Sequence, residues 1–346
     1  MTPTTSDVTA SGGVDALGGA DVSGAPGGVD ALSGADASGG SDASGALGGV
    51  DPSVADGIVV VDKPAGLTSH TVVARIRRLA GTRKVGHAGT LDPMATGVLV
   101  VGLNRATRLL GHLQLADKSY DATILLGATS STDDAEGEVV ASASAAELAA
   151  VTAEAIEAAV SGYRGEISQV PSKVSAIKVD GKRAYERVRA GEEVALKART
   201  VTISRYDVVD VRTVAGGIEV DISVDCSSGT YIRALARDLG ADLGVGGHLT
   251  MLRRTRVGAF GMSSAHTLEE LEKSFDLLPI ADVAADTFPR FDADPEQAAA
   301  IRTGRPLPGL KLPAGQQTAM FDPDGTFLAL YEPHGPLAKP TAVFVS

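Results

Sequence analysis

Residues 86–97, GHAGTLDPMATG, surround one carboxylate, Asp92, with small residues and lead directly into the apolar run Val98-Leu99-Val100-Val101. A carboxylate in such a place can attack an electrophilic carbon or stabilise a developing positive charge. It can equally shape the chain, because an Asp that precedes Pro in a Gly-rich loop is typical of a turn. The surrounding sequence contains no GxSxG frame, P-loop or dinucleotide fingerprint. Taken alone, Asp92 therefore favours a turn.

Two other features offer little chemistry. The single cysteine, Cys226, can form neither an internal disulfide nor a cysteine-based metal cage, and it is predicted to be a small buried side chain. The acidic segment TSSTDDAEG, residues 129–137, lacks the ligand spacing of a calcium loop. We predict a solvated hairpin turn there and no metal site.

The elements that must position Asp92 begin at Gly57, where the strand-like IVVVD runs into the turn formed by residues 63–66. A helix is predicted next, with Ser69 as its N-cap and an apolar face that repeats at helical spacing. The residues of that face are Val72, Val73, Ile76 and Leu79. This helix would deliver the chain to the loop that carries Asp92.

The rest of the pattern mixes helices and strands. We predict a strand over 120–128, one helix over about 145–161 opened by the capping box Ser144-x-x-Glu147, and strands near 201–213 and 217–226. GTYIRALARDLG, residues 229–240, predicts a turn, a helix and a stop at Gly240. Short β-like runs separated by prolines, from about 288 to 346, indicate a second, small β domain.

The first 56 residues have a different composition. GGVDALGGAD at 12–21 recurs as GGVDALSGAD at 27–36, and the segment has no Lys, Arg or aromatic residue. It is too polar and too rich in Gly to bury a core, so we predict a disordered acidic tail. Its eight Asp account for most of the net charge of −12, which leaves about −4 for the remainder. A weakly acidic body can still bind nucleic acid where its cations cluster.

Five segments in one order identify a family. They are VDKPAGLTSH at 61, KVGHAGTLDPMATG at 84, DKSYDATILLG at 117, QVPSKVSAIKVDGKRAYE at 169 and SSGTYIRALARDLG at 227. From about Gly57 to about Ile280 the chain resembles the TruB family of bacterial tRNA pseudouridine-55 synthases, and the remaining tail is similar to a PUA-like RNA-binding domain.

The resemblance implies an α+β fold, in which a pseudouridine-synthase-type mixed sheet with flanking helices is followed by a small C-terminal PUA-like β domain. The expected divisions are a disordered tail at 1–56, a catalytic domain at 57–285 and a PUA-like domain at 286–346. A segment that grips RNA is expected at 170–199, within the catalytic domain.

The resemblance also assigns Asp92, Tyr120 and Arg233 to catalysis. The reaction detaches uracil from carbon 1′ of the ribose, turns it and rejoins it through carbon 5, so a carboxylate can stabilise the positive character at carbon 1′ or bond to the sugar. Whether Asp92 attacks the sugar or assists proton transfer at carbon 2′ stays open. Tyr120 is expected to stack on the flipped base and is a candidate for removing the carbon 5 proton, while Arg233 is expected to pair with Asp92.

Further residues are expected to bind RNA or support the site. The expected RNA contacts are His87, Tyr231, Lys178, Lys182 and Arg183. The expected supports are Lys63, Pro64, Gly86 and Gly89. Lys63 and Pro64 resemble a motif that buttresses the tyrosine, and the two glycines leave room for RNA. Three basic clusters could contact phosphates or be solvated faces: Arg75 to Lys84, Lys178 to Arg189, and Arg253, Arg254 and Arg256.

The implied enzyme needs no cofactor and no metal, and its partner is the T stem-loop of tRNA. We expect a cytoplasmic monomer with no membrane contact and no obligate protein partner, since the chain has no signal-like start and no apolar run of about 18 residues. One alternative is a non-catalytic RNA-binding or tRNA-folding protein on the same fold. A glycosidase that uses Asp92 is the other, and it is disfavoured by the lack of a second carboxylate partner and by the basic segments.

Overall fold

A computed structural model describes residues 51, 55–172, 178–179, 182–183 and 196–345, with the backbone alone for the two dipeptides. The chain forms two units, Met1–Ser44 and Gly45–Ser346, and every described residue belongs to the second. In the described part no helix is both long and apolar enough to cross a membrane.

The strands and helices of the described residues are as follows. The strands are β1 Gly57–Lys63, β2 Val85–Ala88, β3 Thr96–Leu103, β4 Lys118–Leu126, β5 Ala128–Ser130, β6 Val139–Ser142, β7 Gly165–Gln169, β8 Lys178–Val179, β9 Lys182–Arg183, β10 Arg199–Val214, β11 Gly217–Cys226, β12 Gly247–Val257, β13 Phe260–Gly261, β14 Leu278–Pro279, β15 Arg290–Asp292, β16 Leu307–Pro308, β17 Thr318–Phe321, β18 Phe327–His334 and β19 Leu337–Val343. The α-helices are α1 Ser69–Leu79, α2 Leu110–Gln114, α3 Ala145–Ala149, α4 Ala153–Ser161, α5 Ile232–Asp242, α6 Leu268–Lys273, α7 Ile280–Thr287 and α8 Pro295–Arg302. Short 3₁₀ helices lie at Asn104–Arg108 and Met262–Ser264.

A ten-stranded sheet forms the centre of the molecule. Its order is β14-β1-β3-β12-β4-β11-β10-β7, with β2 also paired to β3 and β13 to β12. The sheet is mixed, because β12 runs parallel to β3 while its pairing with β4 is antiparallel. A second sheet of order β15-β17-β18-β19-β16 follows near the C-terminus. The predicted mixed sheet and C-terminal β domain are thus confirmed.

Both faces of the large sheet are covered, which explains the uninterrupted apolar runs in β1 and β3. Val59 and Val61 of β1 point into a core shared with α1, α4 and α5. Their neighbours Ile58 and Val60 point to the opposite face, into a second core that includes residues of the C-terminal sheet. The alternation follows the two-residue period of a strand.

Two predictions about the extent of helices were wrong. The helix expected over 145–161 is two helices, α3 and α4, separated by residues 150–152, although the capping box of Ser144 and Glu147 is present. Thr152 caps the second helix through its side chain. Helix α5 passes through Gly240 rather than stopping there. A Cβ at Gly240 would lie 2.1 Å from the amide nitrogen of Gly247, so the glycine permits close packing against the start of β12.

Ser69 is the first residue of α1 but not its cap. The hydroxyl of Thr68 accepts the amide hydrogen of Thr71 at 3.0 Å and fills the capping role instead. The predicted boundary between residues 285 and 286 falls inside α7, and the division of the chain into domains stays a prediction.

Candidate active site

Asp92 lies on the loop of residues 89–95 between β2 and β3, here called the Asp92 loop. The loop is fixed through Leu91, which is buried next to Asp92. The buried hydroxyl of Ser69 accepts the amide hydrogen of Leu91 at 2.9 Å and donates to its carbonyl at 3.0 Å. Because both backbone groups of Leu91 are held, the adjacent carboxylate projects from a fixed point while its side chain stays 38% exposed.

Lys63 ties the end of β1 to the same loop. Its ammonium is fully buried and donates to the carbonyls of Pro64, Leu67 and Pro93 at 2.9, 2.6 and 3.1 Å. Burial lowers the pKa of Lys63 to about 8, and the nearby charge of Asp92 acts in the opposite direction. One of these three hydrogen bonds holds the Asp92 loop, through Pro93, and the other two hold the turn after β1. The expected support of Tyr120 by Lys63 and Pro64 stays a prediction.

Arg233 joins two carboxylates. It lies in the first turn of α5, and its side chain is 5% exposed. One nitrogen, Nη2, lies 2.9 Å from Oδ2 of Asp92, and the other, Nη1, lies 3.2 Å from Oδ2 of Asp134 and donates to the carbonyl of Thr132 at 2.8 Å. A planar guanidinium held on one edge presents its other edge in a single orientation.

The residues between β5 and β6, 131–138, form the Asp134 turn, and the prediction of a solvated turn there was wrong for Asp134. Its side chain is nearly fully buried. It accepts hydrogen bonds from the Thr132 hydroxyl and from the amide of Glu136. Arg237, four residues after Arg233 and so on the same face of α5, pairs with Asp133 at 3.3 Å. The hairpin prediction itself holds, but α5 covers its turn.

Tyr120 lies on β4 in the middle of the large sheet. Its register partners are Val224 on β11 and Arg254 on β12, and its side chain is buried. Burial raises the pKa of Tyr120, the guanidinium of Arg254 opposes that rise, and the carboxylate of Asp92 adds to it. The phenol of Tyr120 and the carboxylate of Asp92 thus interact electrostatically.

Tyr231 directly precedes α5 and is held on two sides. Gln169 accepts its amide hydrogen at 2.9 Å and donates to its carbonyl at 3.1 Å. The guanidinium of Arg199 lies over the ring, 4.9 Å from its centroid. Sequence reasoning missed Gln169, which is buried, because a Gln at the end of a strand carries no positional signal.

His87 lies on β2 beside the Asp92 loop. Burial, followed by the charges of His70 and Arg254, lowers the pKa of His87 to about 4, so the ring is neutral at pH 7. Its ring meets that of His70 edge-on, with centroids 5.7 Å apart. Its buried Nδ1 has no hydrogen-bond partner among the residues the structure describes. A neutral ring can stack or form a hydrogen bond but cannot neutralise a phosphate.

The two glycines near His87 have different surroundings. A Cβ at Gly86 would lie 3.0 Å from the side chain of Leu110, so the space beside Gly86 faces protein. Gly89 has a φ of +87°, a conformation that favours glycine. The expectation that the two glycines leave room for RNA stays a prediction.

The basic residues divide into exposed and buried groups. Arg77, Arg78, Arg83 and Lys84 are exposed and remain available to a phosphate backbone. Arg254 is almost completely buried and Arg253 pairs with Asp62, so neither of these two members of the cluster at 253–256 is a free phosphate-binding group. The side chains of Lys178, Lys182 and Arg183 lie outside the described residues, and their backbone forms the β8–β9 hairpin.

Comparison with known proteins gives consistent matches along the chain. The N-terminal domain of TruB family pseudouridylate synthases matches residues 77–232, the tRNA pseudouridylate synthase B C-terminal domain matches 233–278, and the tRNA pseudouridine synthase II C-terminal domain matches 288–345. The chain is 55% identical over 294 residues to tRNA pseudouridine synthase B of Streptomyces griseus, covering 84% of this chain and 97% of that protein. It is 57% identical over 293 residues to the protein of the same name from Mycobacteroides abscessus, covering 84% and 95%.

Solved structures agree with these matches. A Cbf5-Nop10-Gar1 complex contains a chain with a TM-score of 0.65 and 26% identity, covering 88% of this chain and 92% of that one. An H/ACA RNP bound to a substrate RNA containing 2′-deoxyuridine gives a TM-score of 0.63 and 25% identity, covering 84% and 85%. Since relatives more than half identical are covered over nearly their full length, the chain that brings Asp92 to Arg233 belongs to the TruB family of pseudouridylate synthases, which are isomerases.

Proposed function

We propose that this enzyme converts uridine 55 in the T loop of tRNA into pseudouridine, with Asp92 as its catalytic carboxylate. The names of the relatives support tRNA as the substrate class. The choice of uridine 55 rests on the five sequence segments shared with the family. The observation that carries the catalytic assignment is the ion pair of 2.9 Å between Asp92 and Arg233.

The geometry suits the first half of the reaction. When the bond between carbon 1′ and the base breaks, positive charge develops on the sugar, and a carboxylate beside it stabilises that charge or bonds to it. Arg233 holds Asp92 in one orientation, while the exposure of Asp92 leaves it accessible to a ribose. The released uracil anion is itself the nucleophile that returns, so a second catalytic carboxyl is not required.

The second half needs an acceptor for the proton of carbon 5. Tyr120 lies within the electrostatic reach of Asp92 and carries an oxygen suited to this transfer. Extruding a base from the T loop costs a few kcal/mol, which pocket and backbone contacts must offset. His87, Tyr231 and the exposed arginines near the start of β2 are the described groups placed to supply them.

The first test uses tRNA tritiated at carbon 5 of uracil and the variant Asp92→Asn. Asn keeps the size of the side chain but removes its charge, so we expect the variant to fold, to bind T-loop RNA within about tenfold, since specific contacts elsewhere remain, and to release no tritium. Asp121→Asn, an exposed carboxylate next to Tyr120, is the matched control and should turn over normally.

The outcomes separate the alternatives. Retention of a tenth of wild-type turnover by Asp92→Asn would exclude Asp92 as the essential carboxylate. Binding without tritium release by the wild type would indicate an RNA-binding protein, and free uracil would indicate a glycosidase. Mapping pseudouridine in the product, with a tRNA that carries cytidine at position 55 as control, tests the target site.

The role of the β8–β9 hairpin in RNA binding has its own test. Each phosphate contact adds about 0.7 to 0.9 to the slope of log affinity against log salt. Changing Lys182 and Arg183 together to Ala should flatten that slope if their side chains contact the backbone of tRNA. An unchanged slope would remove the hairpin from the binding surface.

A further inference from the structure

Arg254 is a buried cation that has no carboxylate partner among the described residues. Its side chain is 1% exposed. Its Nε donates to the carbonyl of Val98 at 2.7 Å and its Nη2 to the carbonyl of Gly89 at 3.0 Å. Among the described residues, no carboxylate oxygen lies within 4.0 Å of its guanidinium. Because burying a charge without an opposite charge beside it is costly, the burial of Arg254 calls for a compensating role.

The neighbours of Arg254 belong to the active site. Tyr120 is its direct register partner across the antiparallel pair of β12 and β4, so the two side chains lie side by side on one face of the sheet. Gly89 begins the Asp92 loop and Val98 lies on β3, directly after that loop. One guanidinium therefore contacts the loop of the carboxylate and lies beside the phenol.

The charges around Tyr120 come from several elements. Asp92 faces it from its loop, Arg254 from β12 and Cys226 from β11. Lys118, on its own strand, donates to the carbonyls of Gln114 and Ala116. Burial raises the pKa of the Cys226 thiol to about 11, so the thiol is neutral at pH 7. Arg254 is thus the positive group placed beside the phenol, and Asp92 the negative one.

The adjacent arginine provides a natural comparison. Arg253 is on the same strand but points the other way, where it pairs with Asp62 at 2.7 Å and stays 36% exposed. It also lies 3.3 Å from the hydroxyl of Thr96. Within the part of the chain that the structure describes, Arg253 has a carboxylate partner and Arg254 does not, although both carry the same charge.

The geometry points to Arg254 as a positioning residue for the second half of the reaction, whose charge stabilises the phenolate of Tyr120 that removes the proton from carbon 5. In that step the bond between carbon 5 and hydrogen breaks and the proton passes to the phenolate oxygen. The electron pair restores the ring double bond between carbons 5 and 6, and the electrons displaced onto N1 take up a proton from water. The phenol then returns its proton to water, which restores the phenolate and balances the proton taken up by N1. This inference rests on the proposed function.

The physical argument is one of opposing effects. Burial disfavours a phenolate at Tyr120, and the negative charge of Asp92 disfavours it further. The positive charge of Arg254 opposes both. Removing that charge should therefore slow proton abstraction at carbon 5 without weakening the groups that break the glycosidic bond.

The experiment compares T stem-loop RNA carrying uridine or 5-deuterouridine at the target in single turnovers with excess enzyme. In Arg254→Met and Arg254→Gln we expect the rate to fall by about a hundredfold, the scale of general-base contributions. The ratio of the rates with hydrogen and deuterium should rise above that of the wild type, because proton abstraction becomes limiting. Arg253→Met is the matched control and should keep the wild-type isotope ratio.

Several outcomes would overturn the inference. A slow Arg254 variant whose isotope ratio is no larger than that of the wild type would show that Arg254 only shapes the Asp92 loop for bond cleavage, and an unchanged rate would remove it from the mechanism. If thermal unfolding shows that neither neutral variant folds, Arg254→Lys is combined with Tyr120→Phe. A residue acting through Tyr120 causes no further loss in that background, whereas additive losses contradict the inference. Failure of the wild type to release tritium would instead refute the proposed function.

Discussion

At the scale of single residues, the site is organised around Arg233, whose guanidinium is shared between an accessible carboxylate and a buried one. Asp134 is held by a hydroxyl and a backbone amide, so it cannot turn to meet the arginine in another way. It therefore fixes the plane of the guanidinium, and that plane fixes Asp92. We infer that Asp134 is as necessary for the position of the carboxylate as Arg233 is.

We predict that Asp134→Asn lowers turnover at least tenfold while tRNA affinity changes little. Loss of the charged partner of a buried group costs about 1–3 kcal/mol. The free energy of unfolding should therefore decrease by about this amount. Single-turnover tritium release and chemical unfolding measure the two effects. Asp133→Asn, which affects only the outer pair with Arg237, is the control, and equal turnover in the two variants would contradict this role.

His87 allows a prediction about pH. Its pKa is about 4 in the folded protein and 6.5 as the reference value. Between these values the unfolded chain binds a proton that the folded chain does not, so stability falls as pH falls from 6.5 towards 4 and then levels off. The loss should be on the order of 3 kcal/mol for a shift of this size.

The measurement is the free energy of unfolding against pH for the wild type and for His87→Gln, which carries no titrating ring. The wild type should lose more stability than the variant over this interval, and above pH 7 the difference between the two curves should be constant. Curves that stay parallel would show that the ring is protonated as easily in the folded protein as in the unfolded chain.

The sequence was enough to select Asp92, Tyr120 and Arg233 as candidate catalytic residues, because each lies in a long segment shared with a family. It did not allow the choice of Asp134. That residue is buried by Arg233, a contact between positions 99 apart that no local pattern reports, and TSSTDDAEG is polar enough to look solvated. The burial of Arg254 was not predicted for the same reason. Three arginines in four positions of β12 look like a surface cluster.

At the scale of elements, the start of α1 is built to serve the Asp92 loop. Thr68 caps the helix, which frees the hydroxyl of Ser69 to hold both backbone groups of Leu91. Sequence reasoning located the start of this helix to within one residue and assigned the cap one residue too late. Ser and Thr are both good caps, and only the contact with a loop 22 residues away distinguishes their roles.

We predict that Ser69→Ala leaves the amide of Leu91 unpaired, which costs about 1–3 kcal/mol of stability. Turnover should fall at least severalfold because Asp92 adjoins Leu91. Thr68→Ala removes a helix cap, costs about 1 kcal/mol and should leave turnover close to that of the wild type. Unfolding curves and tritium release distinguish the two variants. Similar turnover in both would show that the start of α1 does not position Asp92.

At the scale of the whole molecule, the C-terminal sheet shares a core with the large sheet. Phe327 and Phe344 pack at 4.7 Å between ring centroids, in the same cluster as Val98 and Val100 of β3. Arg105 and Arg108 donate to the carbonyls of Phe344 and Val343. The strand β3 that begins at the Asp92 loop is thus packed on one face by residues of the last strands of the chain.

This shared core predicts a single cooperative unfolding transition for the described part of the chain. Phe327 faces the shared core, whereas its neighbour Leu328 faces a separate core within the C-terminal unit. Phe327→Ala should destabilise the protein by about 3–5 kcal/mol and Leu328→Ala by about 2–5 kcal/mol, and in calorimetry each should shift one transition without splitting it. Because β3 supports the Asp92 loop, turnover in both variants should be lost over the same temperature range as the structure. A thermogram of Leu328→Ala that resolves two peaks, with turnover surviving the first, would show that the C-terminal sheet unfolds on its own and that the shared core does not couple it to the active site.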